Sequence, residues 1–160
     1  MAFFKQNMNQ FAQAAILGQV DLIPTPDVVS AQVNPSSALT SLQQGDAVKL
    51  ITGTSGAILV DKQTGPTDAA VFGVIPYNER KNLFVKGDIV EVVRAGYMYM
   101  LSSAAVVRGT RVAITASTTS ADPTVATDST SGHFTVGIAI DEASAANQLI
   151  RVLVSPLTNP

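Results

Sequence analysis

The residues best able to do chemistry in this sequence are one histidine and a few carboxylates. His133 stands in Ser131-Gly-His-Phe134, at the start of a predicted strand. An imidazole acts as a general base only beside a nucleophile and an orienting group, and it binds a metal only with further ligands. No carboxylate lies two or four residues from His133, and the chain has no cysteine. We therefore expect this histidine to be structural or simply exposed, and we expect no metal site.

The carboxylates do not form a catalytic pattern either. Asp46 and Asp88 follow turn glycines, where an Asp oxygen commonly accepts a backbone N–H. Asp141 and Glu142 are adjacent, but a glycosidase holds two carboxyl groups roughly 5–9 Å apart across a cleft. Aromatic sugar platforms are also poorly represented, because the chain has no Trp. The sequence predicts no enzyme activity and no cofactor.

Positive charge is concentrated at Arg80, Lys81 and Lys86, just after a predicted strand. This segment is either a solvated loop or a contact for an acidic partner surface. Over the whole chain the charge is nearly balanced, with 10 Lys+Arg and 12 Asp+Glu and a net charge of −2. Nucleic-acid binding needs clustered cations against phosphates, so we expect no nucleic-acid partner.

The composition is unusual for its low charge. Charged residues make up 14% of the 160 residues and apolar residues 46%, against roughly 25% charged residues in an ordinary soluble domain. Either Ser and Thr solvate the surface, or other subunits cover much of it. No run approaches the ~18 apolar residues that span a bilayer, and no secretory signal is evident. We expect a protein made in the cytoplasm with no membrane partner.

Residues 1–40 are rich in Gln, Asn and Pro and are assigned to an N-terminal arm, a short helix followed by an extended Pro-containing connector. The arm either packs on its own domain or docks on a neighbouring subunit. In the second case its aromatic face would make the contact, through Phe3, Phe4, Met8 and Phe11.

Residues 41–160 are assigned to a β domain. Short segments rich in Val and Ile, bounded by Gly, Pro, Asp or Asn, indicate strands. These are Ala47–Thr52, Ala57–Val60, Ala69–Ile75, Ile89–Arg94, Tyr97–Leu101, Arg111–Thr115, Phe134–Ile140 and Leu149–Val154. Ala95-Gly96 is predicted to be a hairpin turn and residues 116–131 an exposed loop or hairpin excursion. No long helical pattern alternates with the strands, so we predict an all-β barrel or sandwich of short antiparallel strands.

An internal repeat divides this β domain into two similar halves. Gly45-Asp-Ala-Val-Lys-Leu50 matches Gly109-Thr-Arg-Val-Ala-Ile114, and Val71-Phe-Gly-Val-Ile75 matches Thr135-Val-Gly-Ile-Ala139. The glycines of each half are 28 residues apart, and the two halves are offset by 64. The equal spacing favours a duplicated β unit.

One predicted strand is apolar on both faces. In Tyr97-Met-Tyr-Met-Leu101, successive side chains point to opposite sides. Such a strand lies either inside the core or at a contact between subunits, where Tyr and Met are enriched. Tyr97, Met98, Tyr99 and Met100 are therefore candidate interface residues as well as candidate core residues.

The order of these short motifs resembles that of the capsid cement (head decoration) proteins of tailed bacteriophages. The segments that carry the resemblance are Gly45-Asp-Ala-Val, Val71-Phe-Gly-Val-Ile, Val85-Lys-Gly-Asp-Ile-Val90, Arg108-Gly-Thr-Arg-Val112, Gly132-His-Phe-Thr-Val-Gly-Ile-Ala-Ile140 and Ile150-Arg-Val-Leu-Val154. The resemblance covers residues 45–154. It implies a compact β fold that forms homotrimers on the outside of an icosahedral shell, bound to the major capsid protein, without enzyme activity.

Two other functions remain open on the sequence. A carbohydrate- or surface-binding β module of a phage fibre or tail would need an aromatic platform, for which Tyr77, Tyr97 and Tyr99 are the candidates. A hydrolase would need His133 beside a carboxylate and a hydroxyl.

Overall fold

A computed structural model of the chain describes residues 16–20, 25–38, 41–53, 56–115 and 123–158. Within these residues the protein is all β, with eleven strands and no helix. The strands are β1 (Asp27–Val33), β2 (Leu42–Gln43), β3 (Ala47–Ile51), β4 (Leu59–Lys62), β5 (Val71–Val74), β6 (Leu83–Phe84), β7 (Ile89–Ser102), β8 (Arg111–Ile114), β9 (Thr124–Thr127), β10 (Phe134–Ala139) and β11 (Leu149–Thr158). The helix predicted for the start of the arm lies outside the described residues.

Nine of the strands form two closed barrels that share one strand. Their order is β1-β4-β3-β5-β7-β11-β10-β8-β9, and further pairings join β1 to β7 and β7 to β9. The first pairing closes a barrel of β1, β4, β3, β5 and β7, here called barrel 1. The second closes barrel 2, made of β7, β11, β10, β8 and β9. The first half of β7 pairs with β1 and its second half with β11, so this strand of 14 residues passes from one barrel into the other.

The two barrels are built on the same plan, which confirms the duplication. Each ring is closed by one parallel pair, β1 with β4 in barrel 1 and β7 with β9 in barrel 2. The turn hydrogen bonds repeat at the offset read from the sequence. Gly45 N–H donates to the Ile75 carbonyl, and 64 residues later Gly109 N–H donates to the Ala139 carbonyl.

The repeated glycine of each half permits two strands to come very close. A Cβ at Gly73 would lie 2.4 Å from the Val93 carbonyl oxygen, and one at Gly137 would lie 1.9 Å from the Leu153 carbonyl oxygen. Backbone atoms occupy the side-chain space at both positions, so only glycine fits. Gly73 and Gly137, which belong to the repeated motifs, therefore lie at the same strand contact in each barrel.

The predicted hairpin at Ala95-Gly96 is wrong, because β7 runs without a turn from Ile89 to Ser102. Gly96 has a φ of 139°, and a Cβ there would lie 3.0 Å from Pro26. This glycine is required where the shared strand changes barrels and the chain before β1 crosses it, and sequence patterns alone read it as a turn.

Besides the short pair β2 and β6, two strands of the barrels lie where none was predicted. Asp27–Val33 was assigned to the connector of the arm, but it forms β1 and pairs with both β4 and β7. The described β fold therefore begins before residue 41. Thr124–Thr127 lies in the predicted loop and forms β9, which closes barrel 2. Its only fully buried residue is Val125, so its Thr and Ala neighbours gave no strand signal.

Two apolar clusters fill the barrels, and the one centred on barrel 2 also takes in Ala47, Val71 and Val74 of barrel 1. The cluster of barrel 1 includes Val48, Val60 and Ile75, all without solvent exposure. Met98 and Met100 belong to the cluster centred on barrel 2 and are also fully buried. Burying side chains of this size contributes about 1.5–3 kcal/mol each. These two methionines are therefore core residues, and the suggestion that they lie at a subunit interface is corrected.

The segment at residues 16–20 is held at the junction of the two barrels. Gly18 N–H donates to the Tyr99 carbonyl on β7 at 2.8 Å, and Tyr99 N–H donates to Gln19 at 2.9 Å. Tyr77 N–H, from the loop after β5, donates to the Gly18 carbonyl at 2.8 Å. Three backbone hydrogen bonds thus fix this segment to both barrels.

Candidate partner-binding surface

The loop after β5 differs most clearly from its counterpart in barrel 2. Ile75 and Ala139 occupy equivalent positions in the two turns, and the Leu42–Phe84 pair corresponds to the Val106–Ala143 bridge. Eight residues, 76–83, separate Ile75 from Phe84, whereas three residues, 140–142, separate Ala139 from Ala143. Barrel 1 therefore carries an insertion of five residues. We call residues 78–88, which include this insertion and the turn before β7, the basic loop.

Internal bonds hold the basic loop in a defined shape. The Asn78 side-chain oxygen accepts the backbone N–H groups of Arg80 at 2.9 Å and Lys81 at 3.3 Å. The Lys81 ammonium lies 2.5 Å from a carboxylate oxygen of Asp88 and 5.7 Å from the centre of the Phe84 ring. The hydrogen bond from Lys81, together with the N–H of Val85, lowers the pKa of Asp88.

The basic loop presents both cationic and apolar side chains to solvent. Arg80 and Lys86 are exposed. Leu83 and Val85 are each 47% exposed, and Ile89, the first residue of β7, is 66% exposed. All three basic residues singled out in the sequence therefore belong to one surface, but Lys81 is engaged by Asp88. The exposed aliphatic residues around them were not predicted.

Asp46 is the most deeply buried carboxylate among the described residues, and its role is structural. Lys62 lies 2.9 Å from one of its oxygens, and Gln43 N–H donates to the other at 2.8 Å. Burial raises the pKa of Asp46, although Lys62 and Gln43 act in the opposite direction. In barrel 2 the same two positions are occupied by Thr110 and Thr127, whose hydroxyls lie 3.3 Å apart. Because a threonine pair fills the same place in barrel 2, the ion pair is read as part of the barrel rather than as a catalytic group.

His133 has a carboxylate partner at a spacing that the sequence analysis did not consider. Its Nδ1 lies 2.8 Å from an oxygen of Asp128, five residues earlier, and the Asp128 carboxylate also accepts the N–H of Thr130. Burial opposes the shift, but these bonds leave the pKa of Asp128 below its usual value. Among the bonds of the described residues, no hydroxyl meets the His133 ring. The pair braces the turn before β10.

The predicted carboxylate pair is not free for acid–base work. Asp141 binds the Arg151 guanidinium through both oxygens, each at 2.9 Å, and this lowers the pKa of Asp141. Glu142 is exposed beside it. Within the described ranges no group of three or more His, Cys, Asp or Glu residues could hold a metal ion. Over the same ranges, no helix has the length and hydropathy to cross a membrane.

The three tyrosines lie on two different elements of the fold. Tyr97 and Tyr99 are partly buried on β7, whereas Tyr77 lies on the loop after β5 and lines an open groove of about 300 Å³ with Val20 and Val28. The candidate arm residues Phe3, Phe4, Met8 and Phe11 lie outside the described residues.

Comparison with known proteins identifies the family. A family described as structural cement protein (E217 gp24/Pam3 gp6) matches residues 4–155 of this chain. The chain belongs to the phage structural cement protein family. This confirms the resemblance found in the sequence, and it extends the match to most of the predicted arm. Membership gives the protein a structural role as a capsid cement protein of a bacteriophage.

A solved structure also aligns with the chain. The head fiber gp8.5 N base of bacteriophage phi29 covers 81% of this chain and 93% of its own length, with a TM-score of 0.48 and 17% sequence identity. No curated protein matches the chain.

Proposed function

We propose that this cement protein binds the outer surface of the icosahedral head as a homotrimer and stabilises contacts between major capsid protein subunits, without catalysing a reaction. The observation that carries the proposal is the family match over residues 4–155. The closed barrels support it, because a module whose strands are paired all round adheres through side chains rather than through free sheet edges.

A trimer would suit a shell that repeats the same site many times. When one subunit of the trimer is bound, the contacts of the other two become intramolecular, and the overall affinity of the trimer exceeds that of one contact by about 10²–10⁴. Each contact can then bury less than roughly 1,200 Å², the lower end of the range for stable interfaces. Covering part of the surface in this way also agrees with a chain that has only 14% charged residues.

The arm is proposed as one of the contacts with the shell, through Phe3, Phe4, Met8 and Phe11. The family match begins at residue 4, and the segment at 16–20 is bonded to both barrels, so the residues before it start from a fixed point. Burying aromatic side chains on a partner would offset the entropy lost on ordering them. Deleting residues 2–15 leaves the anchored segment intact, and we expect it to weaken shell binding without changing thermal stability.

Two measurements test the proposal as a whole. Light scattering at micromolar concentration is expected to give three times the 16.7 kDa subunit mass. Sedimentation and electron microscopy of phage shells stripped of the protein are expected to show added protein on the outer surface, and shells that resist heating better than bare ones. A monomer that fails to bind such shells would contradict the proposal.

A further inference from the structure

We infer that the basic loop of barrel 1, with the exposed aliphatic residues around it, is the face that docks on an acidic and partly apolar surface of the phage shell. This inference rests on the proposed cement function and adds to it the contact surface and the chemistry of the partner. Three independent features support it.

The first feature is the insertion itself, for which barrel 2 is an internal reference. Barrel 2 closes with the same order of strands and the same turn hydrogen bonds, although its loop between Ala139 and Ala143 lacks the five residues. Folding of such a barrel therefore does not require residues 78–82. An exposed insertion in one of two equivalent loops is best explained by an interaction made outside the chain.

The second feature is the apolar surface that follows the insertion. Leu83 is 47% exposed, and its counterpart before Ala143 is the charged Glu142. Ile89 is 66% exposed, and its counterpart Leu149, two residues after the turn residue Asn147, is 36% exposed. Burial of aliphatic surface on a partner would contribute about 25 cal/mol of favourable free energy for each Å² removed from water. Clustered exposure of this kind marks an interaction site.

The third feature is the charge of the loop. Residues 78–88 carry three cations, Arg80, Lys81 and Lys86, and two carboxylates, Glu79 and Asp88. The loop therefore has a net charge of +1, and since the whole chain has −2, the other residues together carry −3. Lys81 is held by Asp88, which leaves the two cations Arg80 and Lys86 and the one carboxylate Glu79 exposed on the surface. A positive segment on an otherwise acidic protein complements an acidic partner.

The loop is also prepared for binding. The Asn78 turn and the contacts of Lys81 with Asp88 and Phe84 fix the backbone that carries Arg80 and Leu83. A surface that is already ordered loses less entropy when it binds.

Matched charge reversals test the electrostatic part. Arg80→Glu changes the basic loop, and Arg108→Glu makes the same change of charge at an exposed residue of barrel 2. Measured by sedimentation with stripped shells, Arg80→Glu is expected to weaken binding by about tenfold or more and to reduce its dependence on salt. Arg108→Glu is expected to bind as the unmodified protein does.

A second matched pair tests the apolar part. Leu83→Ser is expected to weaken shell binding about as much as Arg80→Glu, whereas Leu149→Ser leaves it unchanged. Circular dichroism and thermal melting confirm that all four variants fold. Equal binding by the loop variants and their barrel 2 controls, with the unmodified protein bound, overturns the loop assignment but not the cement function. Failure of the unmodified protein to bind overturns both. If Arg80→Glu dissociates the oligomer instead, the loop contacts a second copy, and the inference is also overturned.

Discussion

At the scale of single residues, the duplicated fold shows which polar groups a barrel needs and which it can exchange. The Asp46–Lys62 ion pair of barrel 1 and the Thr110–Thr127 pair of barrel 2 occupy the same place. Asp46 is 1% exposed and the Lys62 side chain 11%, so the charges are almost fully removed from water. Burying two charges is costly, and their mutual attraction offsets this cost, in whole or in part, only while both are present.

This arrangement predicts a strongly coupled pair. Asp46→Thr or Lys62→Thr alone leaves one buried charge without its partner and is expected to lower the free energy of unfolding by about 3–5 kcal/mol. The double variant copies barrel 2 and is expected to return to within about 1–2 kcal/mol of the unmodified protein. Urea denaturation of the four proteins measures the coupling. Additive losses in the double variant would contradict it.

Partly buried aspartates in ion pairs set the response to acid. Asp141, bound by Arg151, and Asp88, bound by Lys81, have pKa values lowered from 3.8. A carboxylate with a lowered pKa stabilises the folded state above its unfolded pKa, and this contribution is lost as the pH falls through the folded value. Asp46 acts in the opposite sense: because its pKa is raised from 3.8, its contribution is lost as the pH rises above that value.

We therefore expect Tm to decrease as the pH is lowered below about 4. Asp141→Asn removes one of the groups responsible, so its Tm is expected to be lower at neutral pH but to change less on acidification. Thermal melting between pH 2 and pH 7 measures both slopes. A variant that loses stability in acid as steeply as the unmodified protein would show that the Asp141–Arg151 pair does not contribute.

At the scale of strands, the sequence predicted the strands that occur in both halves but not the continuity of the strand that the two barrels share. Segments with Val and Ile between glycines were assigned correctly in both halves, because the core imposes the same pattern twice. The continuity of β7 was missed because the dipeptide Ala95-Gly96 is typical of a turn. Strand β1 was missed because prolines precede it. Both features depend on pairing between strands that are distant in the sequence, and a local sequence pattern does not reveal such pairing.

The candidate site was predicted only in part, for a related reason. The charges of Arg80 and Lys86 are visible in the sequence, but the exposure of Leu83 and Ile89 is not, because aliphatic residues in short strands normally indicate core. The insertion itself becomes visible only when the two barrels are aligned through their hydrogen bonds. The His133–Asp128 pair was missed because a turn brings together residues five apart, a spacing that neither helix nor strand produces.

The two strand-contact glycines give a prediction at this scale. In Gly137→Ala the new methyl group would overlap the Leu153 carbonyl, and in Gly73→Ala the Val93 carbonyl, so strands must separate. We expect each variant to lose about 2–4 kcal/mol of stability. Gly132→Ala is the control, since its Cβ meets nothing within 4 Å and only its φ of +80° is strained, at about 1–2 kcal/mol. Equal losses in all three would show that the close approach is not tight.

At the scale of the molecule, the barrels are expected to unfold as one unit. Their cores share β7, and the segment at 16–20 is bonded to Tyr77 of barrel 1 and Tyr99 of barrel 2. Gly73→Ala and Gly137→Ala lie in different barrels, yet both are expected to shift a single calorimetric transition. Two separate transitions, each moved by only one of the variants, would contradict this coupling.

The shared strand also has a mechanical consequence. If a swelling shell pulls one barrel away from the other, part of the tension runs along the covalent backbone of β7, in addition to the contacts of β5 with β10 and β11. The barrels can part only if a ladder of hydrogen bonds is sheared along its length, since β7 is paired with β1 on one side of the crossing and with β11 on the other. We expect such a subunit to extend little under load until the pairing of β7 with β1 or β11 breaks.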